Sequence, residues 1–208
     1  MKTKNILREY ERLSTVYDRK WSRYLQATLD KAIEYCSLNG QEDVLDVACG
    51  TGELEKKLIN AYPNLKITGC DISSDMLRVA RDKLSGYNNL SFIECSADKI
   101  PLEDSSKDII VCCNSFHFFK EPKDVLRECS RILRENGRVF ILDWCRDFWV
   151  CRLLESLKNN FDKAHQRIYT VNELTSLLSA YNFKILVSLR FKVDWFWGMM
   201  ALSGTKII

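Results

Sequence analysis

Val44-Leu45-Asp46-Val47-Ala48-Cys49-Gly50-Thr51-Gly52-Glu53-Leu54 is the stretch that decides the fold. A short apolar run carries one acid, Asp46, just before it ends. Two glycines then flank Thr51, and a helical pattern follows. The reading is a strand, a tight turn and a helix start. Such a turn brings bare backbone and a helix N-terminus against a bound ligand. A carboxylate on the strand before it would repel a pyrophosphate but would attract a ligand carrying an amino group and a positive charge.

Outward from this turn, strands and helices alternate. Residues 22–37 place Tyr24, Leu25, Leu29, Ala32, Ile33 and Cys36 at three-to-four spacing, which predicts an amphipathic helix ended by Asn39-Gly40. Strands are predicted at 44–48, 65–70, 90–95, 108–113 and 138–142. Helices are predicted at 51–61, 74–84 and about 122–133, where Pro122 suits a first turn. Residues 143–169 read as irregular and aromatic. Thr170-Val171-Asn172-Glu173 has the spacing of a capping box and starts a helix to about residue 180. Two closing strands, 183–189 and 196–207, follow without a helix between them, so they form an antiparallel pair at one sheet edge. Trp195, Phe196 and Trp197 cannot all face one way on a strand, so at least one is exposed or lines a pocket. The expectation is an α/β fold: a seven-stranded sheet, mostly parallel with an antiparallel C-terminal strand, and helices on both faces.

The composition fits a domain of this kind. The chain has 208 residues, 46% hydrophobic and 28% charged, enough to bury a core without covalent staples. Its 31 basic and 28 acidic residues give a net charge of +3, too balanced to imply nucleic acid as the main partner. The N-terminus lacks the apolar core of a secretory signal, and no apolar run approaches the roughly 20 residues needed to span a bilayer. Nine cysteines stand at irregular spacings with no Cys-x-x-Cys. They read as free thiols in a reducing compartment and not as a metal or disulfide framework. The expectation is a cytoplasmic protein without a metal site.

Chemistry is expected beyond the carboxyl ends of the strands. After the first lies Cys49-Gly50-Thr51-Gly52. At the end of the second is Asp71, placed to accept both hydroxyls of a ribose. After the third comes Ala97-Asp98, where Asp98 can read an adenine amino group. After the fourth comes Asn114-Ser115-Phe116-His117-Phe118-Phe119. A dinucleotide-binding fold would show a third glycine, and that position is Glu55. A bulky acid there obstructs close packing and opposes a pyrophosphate.

Leu45-Asp46-Val47-Ala48-Cys49-Gly50-Thr51-Gly52 resembles motif I of the class I S-adenosylmethionine-dependent methyltransferases. Gly69-Cys70-Asp71-Ile72-Ser73-Ser74-Asp75-Met76-Leu77 resembles the next motif of that family, and Ala97-Asp98 with Ile100-Pro101-Leu102 its adenine-binding segment. The likeness covers about residues 40–145 and is closest to the branch containing the quinone-biosynthesis methyltransferases. It implies a Rossmann-like fold in a single domain over 1–208: an N-terminal helical lid (1–40), a cofactor-binding core (41–145), and a substrate-side segment with the closing strands (146–208). It also implies S-adenosylmethionine as cofactor. Gly50 and Gly52, with Ala48 between strand and turn, would let backbone approach the methionine part. Asp46 would meet its ammonium group, Asp71 the ribose, and Ile72 and Met76 the nucleoside side. Ala97 and Asp98 would face the adenine, and Asn114 the methionine part and sulfonium. Tyr10, Tyr17 and Trp21 are lid candidates.

The reaction so implied is an in-line displacement at a methyl carbon, dominated by positioning. A base is needed only if the acceptor must lose a proton. His117 is the first candidate and His165 the second, with a structural role for His117 equally open. The Tyr, Trp and Phe content of 1–25, 114–119 and 143–169, with Arg146, Arg152 and Arg167 interspersed, points to a small, partly apolar or aromatic acceptor. Two rival readings are a non-catalytic cofactor-binding relative and an NAD-dependent oxidoreductase.

Overall fold

The structure is a computed structural model that describes the backbone of residues 17–161 and 167–207, and the side chains of these except 157–161. In chain order its elements are α1 (Tyr17–Cys36), β1 (Asp43–Val47), α2 (Glu53–Ala61), β2 (Lys66–Asp71), α3 (Ser74–Lys83), β3 (Leu90–Glu94), β4 (Lys107–Cys113), a 3₁₀ turn (Phe116–Phe118), α4 (Pro122–Ile132), β5 (Leu133–Trp144), α5 (Trp149–Phe161), α6 (Val171–Ala180), β6 (Phe183–Lys192) and β7 (Gly198–Lys206). The sheet order is β3-β2-β1-β4-β5-β7-β6. Strands β1 to β5 pair in parallel, and β7 is antiparallel to both of its neighbours. This is the seven-stranded, mostly parallel sheet expected from the sequence.

Strand alternation divides the core in two. Val44, Ile109, Val111, Phe140, Leu142, Met199 and Ala201 face one side, where Leu25, Leu29 and Ala32 of α1 and Leu54, Leu58 and Ile59 of α2 cover them. Leu45, Val47, Ile110, Cys112, Val139, Ile141 and Leu202 face the other, under Val125, Leu126 and Cys129 of α4 and Leu174 and Leu178 of α6. Strands buried on both sides are continuous apolar runs for this reason. Each helix presents its apolar stripe at helical spacing, as in Val125, Leu126, Cys129 and Ile132 of α4.

Local signals set the helix starts. The Ser73 hydroxyl accepts from Met76 N at the start of α3, Pro122 opens α4, and Thr170 with Glu173 forms a reciprocal capping box on α6.

Three expectations need correction. Residues 143–169 are not irregular throughout: α5 occupies Trp149–Phe161. It buries Val150 and Cys151, while Trp149 is 62% exposed and Leu153 50% exposed. The last two strands are joined by a connection that holds Trp195, Phe196 and Trp197, so β7 starts at Gly198. Trp195 is exposed there, and Trp197 turns back to stack on Trp144. Strand β5 starts at Leu133, and the expected Asn136-Gly137 turn is an irregularity within it. Asn136 has φ 60°, and a Cβ on Gly137 would lie 2.8 Å from the Arg134 carbonyl. All nine cysteines are free. No helix of the described residues is long and apolar enough to cross a membrane.

Candidate active site

Chain order runs from β1 outward to β2 and β3, then returns to the other side of β1 for β4 and β5. Adjacent loops therefore diverge at the β1/β4 junction and leave a crevice at the carboxyl ends of the strands. A cavity of about 430 Å³ occupies it, within the size range of small-molecule sites. Its walls come from the loops after β1, β2, β3 and β4, with Tyr17 of α1 above.

The loop after β1 takes a conformation that side chains resist. Ala48, Gly50 and Gly52 have φ of 61°, 57° and 79°. A Cβ on Gly50 would meet nothing, because this glycine faces the open cavity. A Cβ on Gly52 would lie 3.0 Å from Leu84 and 3.1 Å from Ala80, so this glycine seats the start of α2 against α3. Ala48 holds a left-handed conformation that costs an L residue about 1 kcal/mol.

Asp71 ends β2 with both carboxylate oxygens fixed. Gly50 N donates to Oδ2 at 2.9 Å and Ser73 N to Oδ1 at 2.8 Å. Burial raises this acid, and the backbone donors oppose that shift. Each oxygen keeps a lone pair for a ligand hydroxyl. Ile72 beside it is 39% exposed, an unusual state for isoleucine that gives the cavity a flat apolar surface. Asp98 lies exposed on the opposite wall with Ala97, its Oδ1 taken by the Ser96 hydroxyl.

Asp46 projects from β1 at the cavity floor with 2% of its surface exposed. No cation pairs with it among the described residues. Its neighbours are the acids Glu55 and Asp71, and burial with their repulsion raises its carboxyl well above the ordinary range. The arrangement leaves room for a cationic group at Asp46.

Asn114, at φ 57° after β4, ties α1 to the sheet. Tyr24 Oη donates to Asn114 Oδ1 at 2.7 Å, Asn114 Nδ2 donates to Thr28 Oγ1 at 3.0 Å, and Trp144 Nε1 donates to Tyr24 Oη at 2.8 Å. At the start of α1, Asp18 accepts from the Thr51 hydroxyl and from Lys83, which also pairs with Glu53. The start and the middle of α1 are thus bonded to the loops that form the cavity. Burial pushes the Tyr17 phenol up to about 12, so it stays a neutral wall.

His117 does not line the cavity. Its ring is buried, stacked at 4.5 Å on Trp144 and packed at 4.0 Å against Phe118, which does line it. Asp143 accepts from His117 N at 2.8 Å and bonds its Nδ1 at 2.7 Å, while Trp144 N donates to the same carboxylate.

The structure therefore gathers Tyr17, Asp46, Ala48, Gly50, Asp71, Ile72, Met76, Ala97, Asp98 and Asn114 around one cavity, and sets Gly52 and His117 behind its walls. His165 and Tyr10 lie outside the described residues. Tyr24, Asp18, Lys83 and Asp143 escaped the sequence reading, because their importance is a matter of which distant residue each meets. Glu55 was read only as an obstacle to a dinucleotide. The fit to S-adenosylmethionine rests on the fixed Asp71 carboxylate for hydroxyls and the uncompensated Asp46 for an ammonium.

Comparison with known proteins agrees. Residues 45–141 match the methyltransferase domain family. The chain is 35% identical over 145 residues to a demethylmenaquinone methyltransferase of Thermotoga maritima, covering 67% of this chain and 62% of that protein. The chain thus spans under two thirds of that relative's length. It is 30% identical over 207 residues to the ubiquinone/menaquinone biosynthesis C-methyltransferase UbiE of Campylobacter jejuni, covering 88% of this chain and 86% of the relative. Among solved structures, a SAM-dependent methyltransferase from Thermotoga maritima superposes with a TM-score of 0.77 at 20% identity, over 97% of this chain and 99% of that one, which supports the fold. With its motifs, sheet and relatives taken together, the chain belongs to the class I S-adenosylmethionine-dependent methyltransferases, near the quinone-biosynthesis branch.

Proposed function

We propose that this protein transfers a methyl group from S-adenosylmethionine to a carbon of a small quinol-type aromatic ring. The cavity carries the reading: carboxylates for an ammonium and a ribose sit on one side, and Phe118, Phe119 and Val125 form an apolar wall on the other. The names of the curated relatives favour a quinone precursor as acceptor.

When bound, the cofactor supplies an electrophilic methyl group on a sulfonium, open to in-line displacement. The chain's task is to hold the two reactants in register, which in favourable cases supplies about 7–11 kcal/mol of the barrier reduction. Asp46 would anchor the ammonium end and Asp71 the ribose. Ile72 and Met76 would support the nucleoside, and Asp98 with Ala97 would read the adenine edge. The α1 helix, bonded to Asn114 and Thr51, would close the cavity and exclude water. Gly52 would act through the loop it shapes, without touching ligand. His117, bonded to Asp143, is the candidate base for an acceptor that must lose a proton, and it would need Phe118 to shift to reach the cavity; His165 is second. We read the chain as one domain in which 1–40 form the lid and 146–208 the acceptor side.

The test is incubation with labelled S-adenosylmethionine and a demethylated naphthoquinol. Label on the ring carbon supports the proposal. Cofactor binding without transfer to that quinol or to any metabolite of a cell extract would overturn it in favour of a non-catalytic binder.

A further inference from the structure

Glu55 has no role in the mechanism above, yet its carboxyl is completely buried. It stands on α2, on the stripe formed by Leu54, Leu58 and Ile59 that faces the sheet. Its room comes from Gly69 on β2: a Cβ there would lie 2.5 Å from Glu55 Oε1 and 2.9 Å from Cys49 Sγ. Gly69 is the register partner of Asp46, so the slot that a side chain at 69 would fill lies beside the Asp46 carboxyl on the same sheet face. Neither Glu55 oxygen has a well-formed hydrogen bond among the described residues, and the groups near enough to favour its charged form are its own backbone N–H, the Cys49 thiol and Asp46.

A carboxylate has no proton to give. A carboxyl that faces another carboxyl in a dry slot is therefore unsatisfied unless one of the two is protonated, and two adjacent buried carboxylates do not both ionise. We propose that Asp46 and Glu55 hold one proton between them, and that Glu55 takes this proton when the cofactor binds, so that the negative charge falls on Asp46 beneath the ammonium group. Asp46 lines the cavity and Glu55 does not, which fixes this order. Glu55 is thus a positioning residue for the amino-acid end of the cofactor. The inference rests on the assignment of Asp46 to the ammonium.

In the empty site the contact between the two acids raises Asp46 and lowers Glu55, so the proton rests on Asp46 until an ammonium group draws the negative charge there. Asp71 adds repulsion to Asp46 from the end of β2. Cys49 in the loop is held as a neutral thiol by burial and by these acids. Lys83 on α3 exerts a weaker attraction on Glu55, being engaged with Glu53 and with Asp18 of α1. Burial pushes Glu55 up to about 7. The titration belongs to the pair and not to either acid alone.

The experiment is calorimetric binding of S-adenosylhomocysteine between pH 6 and pH 8, in buffers of differing ionisation enthalpy, to wild type, Glu55→Gln and Asp46→Asn, with thermal melts to confirm folding. In the wild type, the two-proton pair must release one proton below the inflection. Affinity should fall about tenfold from pH 8 to pH 6, with close to one proton released at the acid end. Glu55→Gln retains a neutral donor and removes the repulsion, so its affinity should vary less than about twofold over this range. Asp46→Asn should bind weakly throughout. Coincident pH profiles for wild type and Glu55→Gln, with Asp46→Asn still weak, would overturn the shared proton and leave the ammonium assignment intact. Tight binding by Asp46→Asn would overturn that assignment itself, and this inference with it. A purely packing role for Glu55 would change the melting temperature without moving the pH profile, which also overturns the proposal.

Discussion

Gly50 N donates to Asp71 Oδ2 at 2.9 Å, joining the glycine turn after β1 to the acid that ends β2. The cavity's two main recognition elements are thus one unit. The turn fixes the carboxylate, and the carboxylate fixes the turn.

Replacing Asp71 by Ala should cost the cofactor its ribose anchor. A hydrogen bond to a charged group contributes about 1.5–3 kcal/mol, so loss of the carboxylate should weaken S-adenosylhomocysteine at least about tenfold. The amides of Gly50 and Ser73 border an open cavity and can turn to water, so the fold should survive. Calorimetry with a melting curve checks both parts. Unchanged affinity would remove the ribose assignment.

Tyr24→Phe should loosen the lid. The hydroxyl accepts from Trp144 and donates to Asn114, and its removal leaves both without that partner. The cost should be about 1–3 kcal/mol in urea unfolding. Faster amide exchange should be concentrated in α1, and a uniform change across the sheet would count against a local tie.

Asp143→Ala should destabilise the protein by on the order of 3 kcal/mol, since three N–H groups converge on this buried carboxylate. His117→Gln separates the two roles of the imidazole. A base acts on kcat and on its pH profile, whereas a positioning residue moves KM and stability. An unchanged kcat profile with a lowered melting temperature would end the case for His117 as base.

Glu55→Gln should alter the pH dependence of stability in the unbound protein. Within the pair, burial pushes Glu55 up to about 7 in the folded state, above its ordinary value of 4.5. A raised acid favours the folded state below 4.5, and that contribution is lost as pH rises through 7. Glutamine has no such loss. The stability of Glu55→Gln relative to wild type should therefore rise between pH 4.5 and pH 7.5, measured by denaturant unfolding at each pH. A constant difference across the range would mean that Glu55 titrates normally.

Much of this molecule can be read along the chain. The strands at β1, β2 and β4 were legible because burial on both faces demands short apolar runs. The capping box at Thr170 and Glu173 was legible because its two bonds span only three residues. Helix α5 keeps Val150, Leu153, Leu154 and Leu157 at helical spacing, but it lies in an aromatic segment with no cap signal to mark its start. Asp46 and Asp71, proposed to hold the cofactor, stand at strand ends, where polar residues interrupt an apolar pattern, and Asp98 follows in the loop after β3. The sequence left His117 open between a base and a structural residue, because whether it faces the cavity or the core depends on Trp144 and Phe118.

The sequence by itself determined the alternation of strands and helices, the glycine turn and its acids, because backbone conformation and burial act on neighbouring residues. Only the tertiary structure decided that Glu55 of α2 lies in the slot left by Gly69 next to Asp46, and that α1 is bonded to loops far along the chain. Such meetings are fixed by packing between elements, and a carboxyl's charge depends on what packing sets beside it.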